Sequence, residues 1–233
     1  MTAAADLGRI SFSPGAEEWI EYGPADDRRR VGFHDYASLY AVPGLYERVF
    51  HDELGMCSAQ VVVGLYADAL RSLDRTGGTE RVFDFGAGSG IGGKLLKREV
   101  VVGCVVGLDL EPAARGAAER EHPGVYDDFV IADLAASPEL LERLAGQGFT
   151  AVVAVSAIGA GHIPLELLAD TVQRLLRPGG LFAFAVADEL VPAFFDDFFA
   201  RVDAERIASV DYVHRRQADG SPHAATAVVA RLR

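Results

Sequence analysis

The first 78 residues show no alternation of strands and helices. Residues 1–30 are interrupted by prolines and glycines and have no sustained hydrophobic period, which predicts loop or a loosely held arm. Helical spacing begins near His34, breaks at Pro43-Gly44 and returns more strongly from about Ser58 to Asp74. Residues 1–78 are therefore expected to form an N-terminal arm followed by helices.

From residue 79 onward, short apolar runs alternate with segments of helical spacing. The apolar runs predict five strands, at residues 81–85, 104–108, 129–132, 151–155 and 181–187. Because each return between parallel strands needs a helix-length crossover, this order predicts a parallel sheet with helices on both faces. Two final extended runs, 206–215 and 224–232, predict an antiparallel hairpin. The expected fold class is a doubly wound α/β domain, residues 79–233, with a mainly parallel seven-stranded sheet.

The composition fits one folding unit in a reducing, aqueous compartment. Half of the 233 residues are hydrophobic, which is enough for a continuous core. The longest apolar stretches fall short of the ~20 residues that span a membrane, and residues 1–14 do not resemble a signal peptide. Cys57 and Cys104 have no metal-ligand spacing. We therefore expect a cytoplasmic protein that does not act at a membrane.

The charge balance makes nucleic acid an unexpected partner. Aspartate and glutamate outnumber lysine and arginine by 34 to 22, which gives a formal net charge of −12. A surface of that sign repels phosphate backbones. The basic triplet Arg28–Arg30 follows two aspartates and is interpreted as a solvated loop. A small-molecule partner is expected, and the oligomeric state is not indicated.

A glycine-rich segment after the first predicted strand carries most of the functional inference. Residues 82–90 have the sequence VFDFGAGSG, in which Gly86, Gly88 and Gly90 lie between a strand and a helix. A loop in this position lies at the carboxyl edge of a parallel sheet, where doubly wound folds bind their ligands. Glycines permit positive φ there and let the backbone approach a ligand closely.

Three aspartates mark the ends of the first three predicted strands: Asp84, Asp109 and Asp133. Asp109 lies 19 residues beyond Gly90, a spacing at which a second-strand carboxylate reaches the ribose hydroxyls of a nucleoside. Asp133, followed by Leu134, is placed to meet an adenine amino group, and Asp84 is a local anion for a cationic tail. Each aspartate alone also fits an ordinary strand-end turn. Together they favour an adenosine that carries a cationic amino-acid group.

Residues 80–190 resemble the class I S-adenosylmethionine-dependent methyltransferases. The first family motif is matched by VFDFGAGSG, the second by VVGLDLEP and the adenine-side motif by VIADL. The later motifs are matched by FTAVVAVSAIGAGHIP and LLRPGGLFAFAV. Within the superfamily, SAIGAGHIPLELLADTVQRLLRPGG is most similar to the methyltransferase-like proteins named for the Williams–Beuren region. The resemblance implies a Rossmann-like methyltransferase fold, S-adenosylmethionine as cofactor, and methyl transfer to a small or medium-sized acceptor.

The resemblance also implies roles for individual residues. The expected cofactor-binding residues are Tyr40, Asp84, Gly86, Ala87, Gly88, Gly90, Asp109, Leu110, Asp133, Leu134 and Ser156. Leu110 would join Asp109 at the ribose, and Ser156 would lie beneath the sulfonium. Thr150 departs from the family pattern, because many relatives open the fourth strand with aspartate.

Two alternatives to an active methyltransferase stay open. Gly88–Gly93 satisfies the dinucleotide pattern G-x-G-x-x-G, which would indicate an NAD-dependent oxidoreductase. A redox domain of that kind has no use for Asp133 or for the terminal hairpin. The other alternative is a protein of the same fold that binds the cofactor without transferase activity, for which the departure at Thr150 leaves room.

The loops after the fourth and fifth predicted strands hold the candidate catalytic groups. Methyl transfer needs a nucleophile aligned with the sulfonium carbon, and an oxygen or nitrogen nucleophile can also need a base. His162 is the candidate base, although a loop histidine that shapes the pocket fits equally well. Asp188 is a secondary candidate together with Glu189, and its alternative role is to cap the following helix.

Aromatic and histidine residues of the N-terminal region offer two further interpretations. The resemblance implies that residues 1–78 form an N-terminal arm and a helical lid over the pocket. Tyr36, Tyr40 and Tyr46 would there contact the methionine carboxylate or exclude water, and an ordinary packing stripe is the alternative. The pairs His34-Asp35 and His51-Asp52 have no third ligand at metal spacing, so no metal site is expected.

Overall fold

A small antiparallel sheet opens the chain. The computed structural model describes residues 5–13, 19–158 and 162–233. Strands β1 (Ser11–Phe12), β2 (Trp19–Tyr22) and β3 (Arg29–Gly32) pair in that order. Ile20 and Val31 belong to a hydrophobic cluster that also contains residues of the next helices. The expectation of loop over residues 1–30 is therefore wrong for these strands, which are too short to show a period.

The N-terminal helices follow the predicted pattern. Helices α1 (Tyr36–Ala41) and α2 (Leu45–Glu47) are separated at Gly44, whose φ of +73° lies in the left-handed region. The chain after α2 continues as a π-helix over Arg48–Glu53. Helix α3 (Ser58–Ser72) packs on the main sheet, so the helical layers of the α/β unit begin with α3.

Within the described residues, the main sheet contains seven strands, as predicted. They are β4 (Arg81–Phe85), β5 (Cys104–Asp109), β6 (Asp128–Ile131), β7 (Ala151–Ala154), β8 (Leu181–Ala187), β9 (Ala204–Arg216) and β10 (Pro222–Leu232). Their order is β6-β5-β4-β7-β8-β10-β9; β4 to β8 are parallel, and β9 and β10 form the expected antiparallel hairpin. The strand order reverses between β4 and β7, so the carboxyl end of β4 lies where such sheets bind ligands.

Helices cover both faces of this sheet. They are α4 (Ile91–Leu95), α5 (Pro112–Glu121), α6 (Pro138–Ala145), α7 (Leu165–Leu175) and α8 (Val191–Arg201). Helices α6, α7 and α8 contribute to the hydrophobic cluster on one face, and α3 and α4 contribute to the other. Ser137 occupies the N-cap position of α6, but its side chain makes no capping hydrogen bond.

The N-terminal segment is attached to the C-terminal hairpin through its backbone. The Cys57 amide donates to the carbonyl of His214 at 3.1 Å, and the Arg216 amide donates to the carbonyl of Leu54 at 2.7 Å. These bonds hold the segment before α3 near the carboxyl edge of the main sheet. Of the helices described, none combines the length and the apolar character that crossing a membrane requires.

Candidate cofactor-binding site

The loop after β4 has the backbone conformation that its glycines predict. Gly86, Gly88 and Gly90 have φ values of +80°, +53° and +92°, all in the left-handed region. The amides of Gly86 and Ala87 donate to the carbonyl of Leu108 at 2.9 and 3.0 Å, which ties the loop to the end of β5. A side chain would strain this turn at each glycine.

Gly86 also has no room for a side chain. A Cβ added there would lie 2.5 Å from the Cβ of Ala157, which follows β7. At Gly90 an added Cβ would lie 3.1 Å from the Cβ of Ala118 on α5. The loop is therefore packed closely between the neighbouring strand end and α5.

Asp109, at the end of β5, binds the loop through a hydrogen bond. Its Oδ2 accepts a hydrogen bond from the Gly88 amide at 2.8 Å, and its Oδ1 accepts one from the Glu111 amide at 2.9 Å. Burial raises the pKa of Asp109, although these backbone donors oppose the shift. Each carboxylate oxygen can accept a second hydrogen bond. The group is thus positioned beside the loop with acceptor capacity left for a hydroxyl.

Asp84 lies beneath the loop. It is 1% exposed, and its Oδ2 accepts a hydrogen bond from the hydroxyl of Tyr126 at 2.7 Å. Burial raises the pKa of Asp84 to about 6; the Tyr126 hydrogen bond lowers it, and the charge of Asp109 raises it. The carboxyl group expected under the glycine turn is therefore there, and its burial opposes its ionisation.

Asp133 and Leu134, expected at the adenine, and Leu110, expected at the ribose, lie on the same edge, but not all of them face solvent. Asp133 is exposed, and its Oδ1 accepts from the Ala135 amide at 2.9 Å, which forms a local turn. Leu110 is 67% exposed directly after Asp109. Leu134 is only 4% exposed and packs in the main core, so its side chain is part of the core rather than of an adenine-binding surface.

The end of β7 lies beside the glycine loop, at the carboxyl edge of the sheet that forms the candidate crevice. Ser156 has a φ of +52°, an unusual conformation for a residue with a side chain. Its Oγ lies 4.0 Å from the Sδ of Met56, which precedes α3. Strained backbone of this kind is concentrated at functional sites.

The N-terminal helices lie across the glycine loop. A Cβ added at Gly88 would lie 2.8 Å from the hydroxyl of Tyr40, so this tyrosine contacts the loop directly. The rings of Tyr36 and Tyr40 stack with centroids 5.9 Å apart, and the Tyr46 ring lies 5.0 Å from that of Tyr40. Burial raises the pKa of Tyr40 well above its ordinary value, so its hydroxyl keeps its proton.

Helix α5 holds these N-terminal helices in place. Arg120 donates to the carbonyl of Tyr40 at 2.9 Å, and the Gly44 amide donates to Glu121 at 2.8 Å. The next residue, His122, lies 2.6 Å from a carboxylate oxygen of Glu47. Burial alone would raise the pKa of Glu47, but its hydrogen bond and charge interaction with His122 lower it overall.

The candidate base lies next to this aromatic group. Nε2 of His162 is 3.1 Å from the hydroxyl of Tyr36, which is also 3.4 Å from Nδ1 of His34. Residues 159–161, which precede His162, lie outside the described residues. His162 is thus connected through Tyr36 to Tyr40, which contacts the loop.

Asp188 lies at the end of β8 on the same edge, within a short 3-10 turn, and its side chain is exposed. The residue at the N-cap position of α8 is Leu190, so the capping role considered for Asp188 is wrong. Asp188 remains a predicted acidic group at the carboxyl edge.

Thr150 opens β7 at the opposite, amino edge, and the structure accounts for its departure from the family pattern. Its hydroxyl donates to Glu80 at 2.6 Å and accepts from the Arg81 amide at 2.9 Å. Glu80 is 3% exposed and is also paired with Arg75 at 2.6 Å. Since Glu80 already supplies a buried carboxylate here, an aspartate at 150 would repel it. The departure therefore has a local structural cause, away from the crevice.

Two residues of this site are not predicted from the sequence. Tyr126 lies under the loop and Glu47 lies beside it, with the Ser89 hydroxyl 3.4 Å from Glu47. The available signal for Tyr126 was glycine inside regular structure: an added Cβ would lie 2.7 Å from its ring at Gly93 and 2.9 Å at Gly107. A glycine within a strand or helix often marks such a close approach.

A known family matches the part of the chain that carries this loop. Residues 83–184 match the family model of a methyltransferase domain. The match runs from β4 to β8 and includes the glycine loop, Asp109 and Asp133. It supports the class I S-adenosylmethionine-dependent methyltransferase superfamily.

Individual relatives agree with this match. A ribosomal protein L11 methyltransferase from Vibrio cholerae is 37% identical over 120 residues, which make up 50% of this chain and 36% of the relative. The chain thus spans about a third of the curated relative's length.

The solved structures share the fold. An S-adenosylmethionine-dependent methyltransferase from Anabaena variabilis has a TM-score of 0.58 at 17% identity, covering 87% of this chain and 96% of its own. Fibrillarin from Aeropyrum pernix, in complex with natively bound S-adenosyl-L-methionine, has a TM-score of 0.50 at 16% identity, with 96% and 99% covered. With the family match, these similarities support S-adenosylmethionine as the cofactor.

Proposed function

We propose that this chain binds S-adenosylmethionine at the glycine loop and transfers its methyl group to a small or medium-sized acceptor. One observation supports this above the others: a loop of three left-handed glycines is bordered by two buried or half-buried carboxylates, Asp84 and Asp109. A nucleoside with a cationic tail fits such a loop. Asp109 would accept the ribose hydroxyls, and Asp133 would lie on the adenine side.

The charges around the loop argue against a dinucleotide. Glu111 and Glu47 lie near it in addition to the two aspartates, and within the described residues neither Asp84 nor Asp109 forms an ion pair with lysine or arginine. The pyrophosphate of NAD would bring further negative charge into this environment, whereas a sulfonium and an ammonium group would bring positive charge. We therefore favour the methyltransferase over the oxidoreductase.

When bound, S-adenosylmethionine supplies an electrophilic methyl group. The acceptor's lone pair forms the new bond to that carbon while the carbon–sulfur bonding pair returns to sulfur. His162 would take the proton from an oxygen or nitrogen acceptor, with Tyr36, 3.1 Å away, orienting the imidazole. Asp188 is the secondary candidate. Ser156 would line the methyl-transfer side of the crevice.

The acceptor size is inferred from the N-terminal helices. Because Tyr40 contacts Gly88 and its neighbours pack beside it, these helices would act as a lid that encloses the site and leaves room for a modest acceptor. A protein acceptor is the alternative, since the curated relative is named for a ribosomal protein. The narrower resemblance to the Williams–Beuren region proteins stays a prediction, as does a cytoplasmic location.

Calorimetric titration with S-adenosylhomocysteine and with NAD tests the cofactor proposal. The first should bind and the second should not. Asp109→Ala should weaken S-adenosylhomocysteine binding by about 10- to 100-fold, the value of one or two hydrogen bonds to a charged group. Asp128→Asn, at an exposed position that starts β6, is the matched control and should bind normally. An unchanged titration of Asp109→Ala would refute the ribose assignment.

A further inference from the structure

The hydroxyl of Tyr126 joins the buried carboxylate under the loop to the loop itself. It donates to Oδ2 of Asp84 at 2.7 Å and lies 3.4 Å from the carbonyl oxygen of Ala87. Burial and the charge of Asp84 raise the pKa of Tyr126 well above its ordinary value, so the phenol stays protonated and acts as the donor. Tyr126 thus contacts both the buried carboxylate and the backbone of the loop.

The sequence provides a slot for this ring. An added Cβ at Gly93, on α4, would lie 2.7 Å from the ring, and one at Gly107, on β5, would lie 2.9 Å from it. The Tyr126 ring also packs edge-on against Phe129 with centroids 5.1 Å apart. Two glycines and an aromatic neighbour therefore fix the position of the hydroxyl.

Asp84 depends on this donor. Within the described residues, the Asp84 carboxylate accepts one hydrogen bond, and Tyr126 donates it. Burial and the charge of Asp109 both oppose the ionisation of Asp84. Removing the hydroxyl would leave a buried carboxylate without that partner, and such a group becomes protonated instead.

We propose that Tyr126 is a positioning residue that keeps Asp84 charged, and that this charge lets the loop bind the sulfonium substrate more tightly than its neutral thioether product. The inference rests on the proposed function. S-adenosylmethionine carries one positive charge more than S-adenosylhomocysteine, while their ribose, adenine and amino-acid groups are shared. The ratio of the two affinities therefore isolates the effect of a nearby negative charge.

The experiment measures both affinities by calorimetry between pH 5 and pH 8. In the unmodified protein, the preference for S-adenosylmethionine should fall by about tenfold as Asp84 becomes protonated, the size of a single charge interaction near a protein surface. Tyr126→Phe should move this fall upward by about one to two pH units, because a hydrogen bond to a charged group is lost. Asp84→Asn should make the ratio independent of pH in this range.

Other titratable groups near the loop need to be separated from Asp84. Asp109 on β5 acts on it directly. Glu47, which pairs with His122 at the end of α5, lies beside the loop at Ser89, and Lys94 and His51 also act on Glu47. All of these groups remain in Asp84→Asn, so any pH dependence that survives in that variant belongs to them.

Tyr66→Phe is the matched control. The hydroxyl of Tyr66 donates to another buried carboxylate, Glu80, at 3.4 Å, but at the amino edge of the sheet. Its removal should leave the affinity ratio and its pH dependence unchanged.

The possible results separate the two proposals. If the unmodified protein binds neither compound, the proposed function fails. If it binds both and Tyr126→Phe has the same pH dependence as the unmodified protein, the role of Tyr126 is refuted while the function stands. Should Tyr126→Phe not fold, a ratio in Asp84→Asn that still titrates as before refutes the inference, and a flat ratio supports it.

Discussion

Replacing Asp84 with asparagine should stabilise the fold at neutral pH. Burial raises the pKa of Asp84 from an ordinary 3.8 to about 6, so the folded state binds this proton more tightly than the unfolded chain. A folded protein that contains such an acid loses stability as the pH rises from about 4 through about 6. Above that range the loss is constant. Two pKa units correspond to about 3 kcal/mol of unfolding free energy.

The amide of asparagine does not ionise, so the variant avoids this loss. Its carbonyl oxygen can still accept from Tyr126, which keeps the local packing. The gain over the unmodified protein should be near zero at pH 4 and approach about 3 kcal/mol above pH 7. For a domain of this size, that is a rise of about 5 to 10 °C in Tm.

Thermal unfolding of both proteins at pH 5, 6, 7 and 8 measures this directly. Asp26→Asn, in an exposed turn, removes the same formal charge and serves as the control, with no change in Tm expected beyond about 1 °C. The difference in Tm between Asp84→Asn and the unmodified protein should grow from pH 5 to pH 8. An equal difference at both values would show that burial does not raise the pKa of this carboxylate. A variant that is less stable at pH 8 would reverse the reasoning.

Two further changes test the geometry at each edge of the sheet. Gly86→Ala should destabilise the protein by more than about 2 kcal/mol and remove S-adenosylhomocysteine binding, because its Cβ would meet Ala157. The control Gly44→Ala has a similar φ and open space around it, so it should lower the unfolding free energy by only about 1 to 2 kcal/mol. Thr150→Asp should destabilise by about 3 kcal/mol through repulsion from Glu80 while the folded fraction still binds the ligand; Thr150→Val, which only loses hydrogen bonds, should cost less. Urea unfolding and calorimetry measure both pairs.

The main sheet was predictable because its central strands are buried on both faces. Residues of β7 are all buried, and β4 is buried over four of its five positions, so each appears in the sequence as a short apolar run. The small N-terminal sheet gave no such signal. Its strands are two to four residues long and lie among glycines and prolines, and their pairing is visible only in three dimensions.

Some residues of the candidate site could likewise be predicted from the sequence, and others could not. Gly86, Gly88 and Asp109 could be found from the sequence because each depends on a local turn at a strand end. Tyr126 and Glu47 could not, because they reach the loop from 42 residues away along the chain in each case. Contacts of this separation leave at most an indirect trace, such as the glycines that make room for the Tyr126 ring.

The raised pKa values at the loop and the proposed ligand have one physical explanation. Asp84 and Asp109 are both placed where burial opposes their charge, and within the described residues no lysine or arginine pairs with either. A fold selected for stability alone would neutralise or expose such groups, and perturbed carboxylates are typical of functional sites. A cationic nucleoside supplies the missing positive charge and gains affinity from the same interaction. In Asp84→Asn, the loss of stability at neutral pH and the preference for a sulfonium are therefore both expected to disappear.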